Sequence, residues 1–411
     1  MDRSGVVLLV VTMDTKGAEA LYVRDCLKEA GVESLIMDAG IRGESPVPVE
    51  VSREDVARAG GRTLAQVRAM GHEGKALNAM IDGAVKCAQD LYRKGSFLGI
   101  LGLGGSMGTT LGTAVMRGFP VGVPKVMITT MASRDTRAFV GTRDLLMLHS
   151  VCDISGLNRV TNRVLRNGAM AMAGMVRGAG VIEDSRKPLV FISTLGTCEA
   201  CAQRLKEQLE GNGKEVVIFH TVGAGGQAME EMIQEEEVSA LVDLSLHEIC
   251  DHLFGGDYVA GPDRGAAALN KGVPTVLVPG NTDFLVTGPV ESAKERFPGR
   301  VFHQHNSAIT AVRTAREELE ILGGVVADLC NRAKGPWTIL VPLKGLSAFD
   351  SEEGPLHDPE GPGFLSDVLK RRLHRPSLLQ DLPYHINDPE FADAILRALK
   401  GLLNTSTPPP Q

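Results

Sequence analysis

Two stretches of this chain repeat one another, and that repetition constrains the fold more than any other feature. VVLLVVTMDTKGAEALYVRDCLKEAGVESLIMDAG, from residue 6, lines up with PLVFISTLGTCEACAQRLKEQLEGNGKEVVIFHTVGAG, from residue 188. Further on, GVPKVMITTMAS at 122–133 matches GVPTVLVPGNTD at 272–283. Each copy opens on a run of apolar residues with little alternation (6–13 and 189–194), the pattern of a strand buried on both faces. A helical period follows at 18–30 and 198–210, and a second strand at 34–38 and 215–220. Strand, helix, strand in this order implies right-handed crossovers and a parallel sheet. Two copies imply two similar α/β layers.

The rest of the chain continues the alternation. Strands are expected at 97–101 and 126–130, and helices at 76–93, 108–117 and 156–177. The segment GAGVIEDSRKP at 178–188 interrupts the pattern, and later strands are expected at 240–244, 275–278 and 338–341. With 411 residues, against roughly 100–200 per domain, two domains are expected. They are placed at 1–184 and 185–403, with a final helix from Asp388 and a disordered polar, Pro-rich tail at 404–411. The expected fold class is α/β: two Rossmann-like lobes, each a mainly parallel sheet flanked by helices, with a ligand cleft between them. Only 4% of residues are aromatic and 47 are glycine, which suits tight strand-to-helix turns better than an all-β sandwich.

Charge and cysteine usage narrow the partners. The formal net charge is −7, without the basic stripe of a nucleic-acid binder. Seven scattered cysteines without a secretory leader read as reduced thiols in a cytoplasmic protein. No stretch approaches the ~20 apolar residues of a membrane span. A homodimer is expected by base rate for an intracellular protein. The expected partners are therefore a nucleotide and a small anionic metabolite, with no nucleic acid and no membrane.

The sharpest local signal is Gly102-Leu-Gly104-Gly105-Ser106-Met-Gly108-Thr109-Thr110, which follows an apolar strand and opens a helix. Glycines let the backbone approach a ligand, free N–H groups at a helix start attract anions, and Ser106, Thr109 and Thr110 add hydroxyls. The plainer alternative is a tight turn with close helix packing. No Gly-Lys-Ser/Thr closes the motif, so it is not a Walker A loop. The next strand ends Ile128-Thr129-Thr130 without an acid for a ribose, which disfavours a nicotinamide dehydrogenase. Asp14-Thr15-Lys16-Gly17 follows the first strand and Asp38 closes the second. Both would lie at the carboxyl edge of the sheet, Lys16 available to phosphate and Asp38 to ribose hydroxyls, with helix capping as the alternative for Asp14 and Thr15.

Other strings are weaker. Cys198-x-x-Cys201 opens a helix, where a thiol pKa can fall, yet structural cysteines are the commoner outcome. His247-Glu248-x-x-Asp251-His252 is not HExxH, and no metal site is assigned. His303, His385 and Asp388 stand with His247 in polar strings of the last third, where they could carry proton transfer on a small carboxylate or acyl substrate.

The stretches VTMDTKGAEALYVRDCL, ILGLGGSMGTTLGTAVMRGFPVGVPKVMITTMAS, AGPDRGAAALNKGVPTVLVPG and HINDPEFADAIL resemble the ATP-binding-domain family of the tomato mosaic virus resistance protein and its bacterial relatives. The resemblance implies two Rossmann-like lobes and an adenine-nucleotide site. It would place ATP, with or without Mg2+, on Asp14, Thr15, Lys16, Gly17, Asp38 and the loop Gly102, Gly104, Gly105, Ser106, Gly108, Thr109 and Thr110. Met107, Cys198 and His247 depart from the pattern. The alternatives to a nucleotide binder are the metabolic enzyme just described and a non-catalytic interaction module.

Overall fold

The computed structural model describes residues 5–178 and 185–406. The chain divides into two compact units, residues 1–183 and 184–411.

In the first unit the order is β1 (Val6–Val11), α1 (Met13–Glu29), β2 (Glu33–Asp38), α2 (Arg53–Ala59), α3 (Leu64–Arg68) and α4 (Glu73–Arg93). Then come β3 (Gly99–Gly104), α5 (Ser106–Arg117), β4 (Lys125–Thr129), α6 (Arg137–Val140), β5 (Leu146–His149) and α7 (Thr161–Gly178). The five strands form one parallel sheet, ordered β2-β1-β3-β4-β5. The apolar run of β1 feeds both faces. Val7, Leu9 and Val11 pack on one side with α1 and α7, while Leu8 and Val10 pack on the other with α4 and α5. Burial on both faces is why the strand shows no polar alternation.

In the second unit the order is β6 (Leu189–Thr194), α8 (Glu199–Gly211), β7 (Glu215–His220), α9 (Ala224–Glu235), β8 (Val238–Ser245), α10 (His247–Phe254), α11 (Ala267–Lys271) and β9 (Thr275–Gly280). A small excursion follows, with β10 (Phe284–Thr287), α12 (Val290–Arg296), β11 (Phe302–Gln304) and β12 (Thr310–Arg313). The chain then closes through α13 (Arg316–Asn331), β13 (Trp337–Pro342), α14 (Gly361–Arg372), β14 (Leu379–Leu382) and α15 (Pro389–Ser406). Its main sheet is parallel and ordered β14-β13-β9-β8-β6-β7. Its β7-β6-β8-β9 part repeats the β2-β1-β3-β4 order of the first unit, as the sequence copies imply. Strands β10, β12 and β11 form a separate antiparallel sheet.

Several boundaries move for identifiable reasons. The first strand stops at Val11 because Met13 N–H turns to donate to Asp38 Oδ1 at 3.0 Å, starting α1 five residues before position 18. The helix expected from 156 starts at Thr161, because the Asn158 side chain accepts the N–H groups of Val160 and Thr161 and marks its beginning. Residues 404–406, expected in the tail, belong to α15, and 407–411 lie outside the described residues. No helix among the described residues is long and apolar enough to cross a membrane.

Candidate functional site

The carboxyl ends of β1, β2 and β3 open on a cavity of about 880 Å³ that lies wholly within the first unit. The turn after β1 contributes Thr12, Asp14, Thr15 and Lys16, and the loop after β3 contributes Gly104, Gly105, Ser106 and Gly108. Two motifs separated by about ninety residues are thus brought to one site. An open parallel sheet places ligands at this edge.

The glycine loop is built for close approach. A Cβ on Gly104 would stand 2.9 Å from the Gly108 Cα, so strand and helix meet backbone to backbone there. Gly105 is the N-cap of α5 and offers no side chain to accept the first N–H groups of the helix. Those groups have no partner within the helix itself, and the helix dipole adds partial positive charge at the same point. Ser106 and Met107 are exposed beside them.

The turn after β1 is held from several directions. The Asp14 carboxylate accepts the N–H groups of Arg42 at 2.9 Å and Gly43 at 3.1 Å, which fixes the loop after β2. The Thr12 and Thr15 hydroxyls lie 2.9 Å apart. Lys16 leaves helical dihedrals (φ −129°, ψ 20°) and its Nζ donates to the Ile154 carbonyl.

Five expected residues stand outside this cavity. Asp38 is 1% exposed and fully engaged, accepting from Met13 and Gly40 N–H on one oxygen and from Arg53 Nε (2.8 Å) and Nη2 (2.6 Å) on the other. It is a structural acid with no free edge for a ribose. Thr109 is buried, and its hydroxyl donates to the Gly105 carbonyl at 2.7 Å beside Thr129. Thr110 donates back to the Ser106 carbonyl at 3.0 Å. Gly102 lies inside β3, where a Cβ would meet the Met127 sulfur at 2.8 Å. Gly17 packs on Pro46, with 2.7 Å between an added Cβ and the ring. The hydroxyls expected to bind phosphate therefore serve helix α5 itself, which leaves Ser106 as the loop's available hydroxyl.

The structure adds residues that sequence reasoning missed. Arg42, Arg68, His72 and Glu73 line the polar part of the cavity, and Ala39, Ile41, Ala76 and Leu77 supply an apolar wall. Arg42 pairs with Glu73 at 2.5 Å across an exposed edge. Arg68 Nε donates to the Ile41 carbonyl at 2.6 Å.

The proton-transfer candidates of the second unit are linked through neighbours: His247 and His303 meet the adjacent rings of Phe284 and Phe349, and His385 with Asp388 adjoins them through Ser347. His247 has no exposed surface; its Nδ1 meets the Asn281 carbonyl at 2.8 Å and its Nε2 lies 3.3 Å from Asp251 Oδ2. His385 Nε2 donates to the Ser347 carbonyl at 2.9 Å, and Asp388 Oδ2 accepts His385 N–H at 2.8 Å just before α15. His303 lies on β11 with its ring 4.7 Å from that of Phe349, and partial burial lowers its pKa. Cys198 and Cys201 are buried, and burial pushes the Cys198 thiol up to about 11, the opposite of an activated nucleophile.

Comparison with known proteins places the chain. A family model described as the N-terminal domain of an uncharacterised protein family (UPF0261) matches residues 5–180, and the C-terminal domain of the same family matches 187–403. The chain belongs to the UPF0261 family. A UPF0261 protein of Clostridium tetani is 36% identical over 97% of this chain and 98% of its own length. The ToMV resistance protein Tm-1(GCR237) of Solanum lycopersicum is also 36% identical, over 72% of this chain and 40% of its own. Among solved structures, the UDP-GlcNAc 2-epimerase of Methanocaldococcus jannaschii, in complex with UDP-GlcNAc and UDP, is 10% identical. It covers 66% of this chain and 83% of that one at a TM-score of 0.22.

Proposed function

We propose that the first unit of this UPF0261 protein binds ATP, with the phosphates on the loop Gly104–Gly108 and the base against the apolar wall at Ile41, Ala76 and Leu77. The observation that carries this reading is the single cavity lined both by charged and polar groups, an uncapped helix start, Lys16 and two arginines, and by that apolar wall. A nucleoside phosphate has the same division between an anionic tail and a flat apolar head. The sequence resemblance to an ATP-binding family points the same way. Among the described residues there is no group of three or more metal-ligating side chains, so Mg2+ would be carried in on the phosphates rather than by a cage of protein ligands.

Gly105→Asp tests the assignment with little structural damage. Gly105 has φ −77°, and the nearest atom to an added Cβ is the Thr130 hydroxyl at 3.9 Å. Aspartate is a good N-cap, so the free protein should keep its melting temperature while a carboxylate occupies the phosphate position. At 100 times its dissociation constant ATP should stabilise the wild type by about 2.7 kcal/mol. The variant should bind ATP at least tenfold more weakly by calorimetric titration. Undiminished binding would remove the loop from the site. Silence toward nucleotides with a response to a small carboxylate or acyl compound would replace the nucleotide by that substrate class.

A further inference from the structure

We propose that the second unit carries a separate binding site for a multiply charged oxyanion, at the amino-terminal edge of its sheet. The cavity there is about 590 Å³, enclosed by the turns that lead into β9 and β13 and by the segment after α14. Its floor is backbone: a Cβ on Gly335 would fall 2.3 Å from the Gly272 carbonyl oxygen, so the two turns touch through glycine alone. Around that floor stand Lys334, His374, Arg375 and the indole of Trp337, and no carboxylate lines the cavity.

The charge pattern around this cavity is asymmetric. On the nearby surface of α14, Lys370 is matched to Asp381, and Arg371 and Arg372 to Glu320. Lys334 and Arg375, by contrast, make no ion pair or side-chain hydrogen bond among the described residues, and both are exposed. Cations often gather at helix C-termini to cap free carbonyls, and α13 and α14 end here. Several of those carbonyls already have partners: Leu329 O and Cys330 O of α13 accept Arg332 N–H at 3.3 Å and Ala333 N–H at 3.2 Å, and Arg372 O of α14 accepts the Asn331 amide at 3.0 Å. The Lys334 ammonium and Arg375 guanidinium thus keep their donor hydrogens for something else. A planar fork beside a point-charge donor suits a phosphate or carboxylate group, and two cations without an acid suit a ligand bearing more than one negative charge.

Trp337 is the chain's sole tryptophan, so its fluorescence reports on this cavity directly. Titrating the full chain with pyrophosphate, with citrate, and with sodium chloride at matched ionic strength should give a saturable emission change with one or both oxyanions and none with chloride. A response to pyrophosphate alone identifies a phosphate ester as the natural ligand class. A response to both identifies charge and spacing as the recognised features. Lys334→Ala/Arg375→Ala should weaken the dissociation constant at least tenfold without moving the melting temperature, as both side chains are exposed and unpaired. Gly105→Asp should leave the titration unchanged, which separates this site from the one in the first unit. No saturable change in emission, an equal emission response to chloride, or an unchanged emission titration in the double variant would overturn the proposal.

Discussion

Replacing Arg264 by methionine should lower the melting transition of the second unit by about 6–20 °C, the equivalent of roughly 3–5 kcal/mol in a unit of this size. The guanidinium is 3% exposed and donates to five acceptors. Nη1 and Nη2 each reach one oxygen of Asp243 at 2.7 Å, Nε reaches Glu248 at 2.8 Å, Nη1 also reaches Glu230 at 3.3 Å, and Nη2 meets the Ser245 carbonyl at 2.9 Å. Each acid is in turn tied to a different element. Asp243 accepts from Ser193 on β6, Glu248 from Gly223 and Gly226 N–H at the start of α9, and Glu230 from Gly265 and Ala267 N–H.

One cation therefore faces three carboxylates in the interior. Burial already raises the Glu230 pKa, which shows how costly further loss of positive charge would be. Removing the arginine strands buried negative charge, and that penalty exceeds the worth of any single hydrogen bond lost. Lysine should rescue little, since an ammonium cannot serve Asp243 in a bidentate fork and still reach Glu248. Calorimetry of the full chain reads the result. A transition within about 2 °C of wild type for Arg264→Met would mean the acids are neutral in the folded protein.

This network also shows what the sequence could and could not reveal. The string Gly261-Pro262-Asp263-Arg264 reads as a polar turn, because nothing local marks Arg264 as buried; its partners lie sixteen to thirty-four residues earlier. The same limit explains Asp38. Its position at a strand end was legible, but Arg53, which consumes it, sits beyond a loop of no regular period. The short helices α2 and α3 did carry a signal. Ser52 with Asp55 and Thr63 with Gln66 are reciprocal capping pairs, the recognisable start of a helix even when only five to seven residues follow.

Strands buried on both faces announce themselves by composition, so the parallel sheets were readable except at their partly exposed edge strands β5 and β14. The antiparallel strands β10 to β12 were not, as three or four residues of mixed polarity give no period to count. At the site, the glycine loop was readable because its backbone geometry restricts residue type. Arg42 and Arg68 were not, since an arginine in a loop after β2 has many unremarkable uses. Thr109 and Thr110 misled for a further reason: a hydroxyl inside a helix can turn back to the carbonyl four residues earlier, and here both do.

The second unit should also lose stability as pH rises toward 8, with Asp283 as the principal cause. This carboxyl is 6% exposed; its Oδ2 accepts the Ser347 hydroxyl at 2.6 Å, and its Oδ1 has no hydrogen-bond partner. Burial first, and the charge of Asp350 second, push its pKa from the ordinary 3.8 up to about 7. A carboxyl with a raised folded-state pKa binds its proton more tightly when folded. Its contribution is therefore complete below about pH 4 and is lost as pH climbs through about 7, at a rate of up to about 1.4 kcal/mol per pH unit. His247 works in the same direction. Burial depresses its pKa, but the neighbouring Asp251 carboxylate and the hydrogen bonds of the ring outweigh that and leave it raised, so its proton too is held more tightly in the folded state. Asp283→Asn keeps an oxygen for the Ser347 hydroxyl and cannot ionise. The variant should melt several degrees above wild type at pH 8, converge with it near pH 4, and show a shallower slope between. Parallel curves for the two proteins across that range would mean that Asp283 ionises normally inside the fold, and the pH response would then have to come from other groups.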